Sequence, residues 1–203
     1  MIEDVAGVFR YVAEKFEILD VFNANTAFYQ ISGAEIQFIS GIRNEALEAV
    51  AKSQIKCGKV YGFYLDTTHL DIIEFNAGIG LHTKFLPFNN EDDTNELAEM
   101  IALHELSHLI EQQKLTKQLG LKLEECDLAI GVKVEKHITK WGNDLVHNQE
   151  FVAILNCLIR REYPMDYKHK LRVALSLTLI DIEGYIVSGE VDESYYDCRN
   201  VNS

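Results

Sequence analysis

Residues 94–120 read TNELAEMIALHELSHLIEQQKLTKQLG. The stretch contains no proline, its apolar residues recur at helical spacing, and Gly120 suits the position just past a helix end. Asp93 and Glu96, three apart, make a capping box at its start. The reading that matters lies in the middle. His104 and His108 bracket Glu105 in the pattern HExxH, and the flanking Ala102, Leu103, Leu106, Ser107, Leu109 and Ile110 are all uncharged.

Residues four apart on a helix lie one turn apart on the same face, so His104 and His108 can present two nitrogens to one ion. Imidazole nitrogen is a good zinc donor. Glu105 sits about 100° round the helix, from where its carboxylate reaches a water on the metal rather than the metal. Zinc lowers the pKa of that water towards neutrality, and a glutamate there can take the proton and pass it to a leaving amine. The bland alternative places both histidines on a solvated polar face. The stripe Leu97, Ile101, His104, His108, Leu115 argues for an inward orientation instead.

A catalytic zinc normally has three protein ligands and one open position, so a third donor must come from elsewhere. The leading candidate is His147 in WGNDLVHNQEFVAILNCLIRR (141–161), at the start of a new helix, with Phe151 one turn on to anchor that helix in the core. Glu150 is the next candidate, followed by Glu111, Glu124, Glu125, Glu135 and His137. Glu111 lies one turn past His108 and better suits a supporting role. Tyr163, Tyr167, His137 and His169 are available to stabilise developing charge in a transition state.

Working outward, residues 2–18 place Val5, Val8, Phe9, Val12 and Phe16 at helical spacing. AEIQFIS (34–40) alternates like a strand, and IRNEALEAVAKS (42–53) reads as helix. KVYGFYL (59–65) and LDIIEF (70–75) flank a polar turn and carry a hairpin pattern. The stretch that follows, up to residue 93, reads as loop. Beyond the central helix, residues 121–139, 148–161 and 167–187 look helical, with Pro164 separating the last two. The expected architecture is α+β: a small antiparallel sheet packed on the HExxH helix, followed by an all-helical C-terminal half. Residues 1–203 are read as a single domain, made of 1–93 (helix plus small sheet), 94–120 (the HExxH helix) and 121–203 (the helical part).

The chain has 203 residues, 47% of them hydrophobic and 25% charged, enough for a substantial core. Its formal net charge of −13 disfavours nucleic acid as a partner; the lysines from Lys114 to Lys140 are interspersed with acids and suit a solvated helical surface. A protein or peptide substrate fits better. No apolar run approaches membrane-spanning length, and the first residues lack the basic start and apolar core of a secretory leader. Cys57, Cys126, Cys157 and Cys198 form no CxxC pair, which suggests four reduced thiols and a cytoplasmic address.

A hairpin, an HExxH helix and a later helix opening with H-x-x-x-F together resemble SprT-like zinc metallopeptidases and related minimal gluzincins. The corresponding segments are KVYGFYLDTTHLDIIEFN, ALHELSH and HNQEFVAILN, within residues 59–161. The resemblance implies a zincin-like fold and a zinc-dependent peptidase, with His104, His108 and His147 as ligands and Glu105 as base. The chain departs from the pattern in the long gap between His108 and His147 and in Asn148, where glycine is frequent. It also lacks a basic or cysteine-rich extension, so the DNA-linked role of that family is not carried over. A second likeness is to metallopeptidases of mobile elements that act on immunity repressors. In those, an acidic residue of a later helix is the third ligand; here QEFVAILNCLIRREYP would supply Glu150, and the substrate would be one regulatory protein. Two readings compete with peptidase activity: a non-catalytic zinc-stabilised binding protein, and a metal-dependent hydrolase of another substrate class.

Overall fold

The computed structural model describes residues 4–22, 25–55, 62–67, 74–83, 96–123 and 149–175. The chain divides into two compact units, with the boundary between Leu109 and Ile110 inside the long helix.

In the first unit, helix α1 spans Val5–Lys15. Asp4 caps it, accepting a 2.6 Å hydrogen bond from the Gly7 amide, and Val5, Val8, Phe9 and Val12 are wholly buried. The helix ends where Glu17 takes φ 56°. The Glu17 amide donates to the Glu14 carbonyl and the Ile18 amide to the Ala13 carbonyl, the paired bonds of a Schellman motif, and Ile18 is driven into the core. A short 3-10 turn, Leu19–Val21, follows.

Strand β1 is Thr26–Ser32, β2 is Glu35–Gly41, β3 is Gly62–Asp66 and β4 is Ala77–His82, in the sheet order β2-β1-β4-β3. β1 and β2 form a hairpin with Ser32 opposite Glu35, and Gly33 in its turn takes φ 60°. Helix α2, Glu45–Gln54, links β2 to β3. Asn44 caps it, its side-chain oxygen accepting from the Ala46 and Leu47 amides, both at 3.1 Å.

The expected antiparallel sheet is instead mixed, because its two central strands, β1 and β4, run parallel. The cause is the helix between β2 and β3. A helical crossover returns the chain in the direction of the strand it left, so β3 runs with β2, and each outer strand is antiparallel to its inner neighbour. LDIIEF lies largely outside the described residues, and β3 pairs with β4, AGIGLH, within the stretch read as loop. β1, TAFYQIS, received no assignment from the sequence.

Both faces of the sheet are covered. Tyr29, Ala27, Ile31 and Phe63 pack with Ala51 of α2 and with Ile55 just past its end. On the opposite face Phe28 meets Phe9 of α1, ring centroids 5.7 Å apart. β3 turns Gly62 towards the long helix α3, Glu96–Gln112, on that same side. Every residue from Ala98 to Glu111 in α3 is buried, which explains its apolar flanks.

In the second unit, α3 ends at Gln112 and not near Gly120. Lys114 takes φ 57°, with bonds from its own amide to the Glu111 carbonyl and from the Leu115 amide to the Ile110 carbonyl. Gly120, at φ 63°, closes a separate turn in the same way, its amide on the Lys117 carbonyl and that of Leu121 on the Thr116 carbonyl. Helices α4, Gln149–Glu162, and α5, Tyr167–Leu175, are separated at Pro164. The Arg160 guanidinium lies 5.0 Å from the Tyr167 ring and the Lys170 ammonium 5.2 Å from the Tyr163 ring. Phe151 is wholly buried. Cys157 is disulfide-bonded, which corrects the expectation of four reduced thiols; the other three cysteines lie outside the described residues. Sequence spacing does not disclose which thiols folding brings together, and a disulfide removes the cysteine argument for a cytoplasmic address. Among the described residues, no helix is long and apolar enough to cross a membrane.

Candidate metal site

A buried helix can carry polar residues only where each has a reason to be there. In α3 Glu99 is 3% exposed and meets the Lys15 ammonium of α1 at 2.8 Å, an ion pair that ties the two helices together. Ser107 returns its hydroxyl to the Leu103 carbonyl at 2.8 Å, within the helix. His104, Glu105, His108 and, one turn further on, Glu111 remain, at 3%, 4%, 4% and 3% exposure. A solvated polar face is therefore excluded for the two histidines.

Their ring centroids stand 5.0 Å apart with planes at 75°. One ligand-capable atom from each of His104, Glu105 and His108 falls within 4.8 Å of the others. Two donors on one zinc stand at most about 4.2 Å apart, twice a zinc–nitrogen bond. Donors on a tetrahedral zinc stand about 3.4 Å apart, so side-chain rotations would draw these atoms inward around a bound ion. Two imidazoles and a carboxylate are a donor set that suits zinc, and the three side chains can hold a divalent ion.

Burial pushes the Glu105 carboxyl up to about 8, because the ionised form loses hydration it would have in water. A divalent cation beside it would act in the opposite direction, favouring the carboxylate.

β3 lies along this stretch of α3. A side chain at Gly62 would put its Cβ 2.8 Å from Ile101 Cγ2 and 2.9 Å from Glu105 Oε1, so the glycine leaves room for the carboxylate. Two residues along the same strand face, the Tyr64 ring stacks on His108 with centroids 6.0 Å apart and planes at 23°. The Tyr64 hydroxyl donates to Asp66 Oδ2 at 2.9 Å. None of these three was singled out from the sequence. The period-two alternation of GFYLD shows that Gly62, Tyr64 and Asp66 share a face, but not that this face meets the histidines.

His147 lies outside the described residues, as do Glu124, Glu125, Glu135 and His137. The Glu150 carboxylate, 40% exposed, stands 3.7 Å from the Lys114 ammonium. Glu111 is 3% exposed. Tyr163 and Tyr167 carry the cation contacts given above, and His169 is exposed. Among the described residues the metal-capable group holds His104, Glu105 and His108 and no fourth member. No family model matches the chain, and no curated protein or solved structure is significantly similar to it.

Proposed function

We propose that this chain is a zinc-dependent metallopeptidase. The supporting observation is the burial of His104, Glu105 and His108 in one turn of α3 with their donor atoms gathered within 4.8 Å. In this reading His104 and His108 hold the metal as neutral imidazoles, and His147 is the third donor, a role taken from the resemblance to SprT-like enzymes. Zinc would supply Lewis acidity that polarises the scissile carbonyl and makes water acidic enough to attack near neutral pH. Neutral histidines suit that task, because they leave the ion's charge largely uncompensated.

Glu105 is the base. Its carboxylate takes a proton from the attacking water and delivers it to the departing amine. It begins from a buried position whose ordinary preference is for the protonated form, and a cation at the histidines favours the ionised one. Among the described residues β3 is an outer strand of the sheet, and an outer strand is where an extended peptide can add by backbone hydrogen bonding. The substrate is accordingly a protein or peptide in extended conformation.

The test is metal analysis of the purified chain together with hydrolysis of a peptide library. Wild-type protein should carry about one zinc per chain, and His104→Ala or His108→Ala should lose it. Glu105→Gln should keep the zinc and lose hydrolysis by about 100-fold or more. A chain that binds no zinc on titration would overturn the proposal, as would a Glu105→Gln protein that cleaves at the wild-type rate.

A further inference from the structure

Resting on the reading of His104 and His108 as zinc ligands, we propose that Tyr64 is a positioning residue for His108, held in place by Asp66. An imidazole ligand must direct its lone pair at the ion, and rotation of the ring about its own bonds weakens the site. The helix backbone fixes where His108 begins but not the plane of its ring. On the sheet side that plane is set by Tyr64, whose ring lies 23° from parallel to it.

A tyrosine can perform this task only if it is itself held. Its hydroxyl donates at 2.9 Å to Asp66 Oδ2, and Asp66 is 4% exposed, the second residue along on the same strand face. The strand therefore supplies three consecutive same-face positions with separate tasks. Gly62 makes room for Glu105, Tyr64 orients His108 and Asp66 tethers Tyr64. The intervening Phe63 faces the other way, with Tyr29 and α2. It therefore serves as a control for general damage to β3.

The experiment measures zinc affinity of the full chain by competition with a chromophoric chelator, and the visible absorption of its cobalt(II) form. Tyr64→Leu should bind zinc about 10-fold more weakly and alter the cobalt bands, since partners of metal ligands commonly contribute 10- to 100-fold to affinity. Tyr64→Phe keeps the ring and loses the tether; it should bind about 3-fold more weakly with a smaller spectral change. Phe63→Leu should lower thermal stability and leave both metal readouts unchanged. The proposal is overturned if folded Tyr64→Leu matches wild type in affinity and spectrum, or if Phe63→Leu weakens zinc binding as much. Should Tyr64→Leu fail to fold, Tyr64→Phe decides by the same two readouts. Wild-type protein that binds neither ion overturns the zinc reading, and this proposal with it; wild-type binding with unaffected Tyr64 variants overturns this one alone.

Discussion

At Lys114 the backbone enters the left-handed region, where a side chain costs about 1–2 kcal/mol and glycine almost nothing. Among the described residues Lys114 pairs with Glu150 at 3.7 Å, a contact that is exposed and worth little. Lys114→Gly should therefore stabilise the protein by about 0.5–1 kcal/mol, net of the greater freedom of glycine in the unfolded chain. Urea unfolding checks this, and a lowered midpoint would contradict it. Glu48 behaves differently. It is 5% exposed and accepts from Arg43 Nε at 2.6 Å, Arg43 Nη2 at 2.9 Å and Lys52 at 2.9 Å. The hydrogen bonds from Arg43, with Lys52 adding to them, hold its carboxyl down at about 2 from an ordinary 4.5. A depressed folded pKa contributes stability that is complete above about 4.5 and is lost as pH falls towards 2. Because its cationic partners are half exposed, the contribution is about 1–2 kcal/mol. The stability gap between wild type and Glu48→Gln should close by that amount between pH 6 and pH 2, followed by denaturant titration; a gap independent of pH would refute the assignment.

Among elements, β4 decides how the sheet is built. AGIGLH has too little side-chain bulk to announce a central strand, yet it sits between β1 and β3. Gly80 is opposite Tyr29 on one side and Phe63 on the other. A Cβ there would collide with the Phe63 ring, and one at Gly78 would lie 3.2 Å from the Tyr29 ring. The glycines are weak strand formers alone, and the aromatic rings covering them supply the packing. Gly80→Ala should cost about 1–3 kcal/mol by overpacking. Phe63→Leu in the same chain should recover part of that loss, because the two residues share one space. Strictly additive losses in thermal or chemical unfolding would show that the ring is not what excludes the methyl group.

For the whole molecule, a metal held by native histidines and not by the unfolded chain adds to stability by mass action. Zinc at 100 times its dissociation constant should add about 2.7 kcal/mol, a rise in unfolding temperature of about 6–10 °C for a chain of this size. Chelation should reverse it, and His104→Ala should abolish it. Scanning calorimetry with and without zinc is the measurement, and an unfolding temperature indifferent to zinc would count against the site.

Helical periodicity alone was enough to locate α1, α2, α3 and the break at Pro164, because a helix is a local structure whose bonds and caps lie within a few residues of one another. HExxH is local in the same sense: its two imidazoles are neighbours as soon as the helix forms, so the metal-capable pair was legible in one decapeptide. The parallel centre of the sheet, the role of AGIGLH as a strand and the true end of α3 were not. Each depends on a partner distant in the chain or on a non-glycine residue adopting the left-handed conformation. The approach of Gly62 to Glu105 and the stacking of Tyr64 on His108 belong to the same class, since about forty residues separate the members of each pair and only the packed sheet and helix bring them together. Short-range pattern thus determined which residues could bear the chemistry. Long-range packing decided that they are buried and what lies against them.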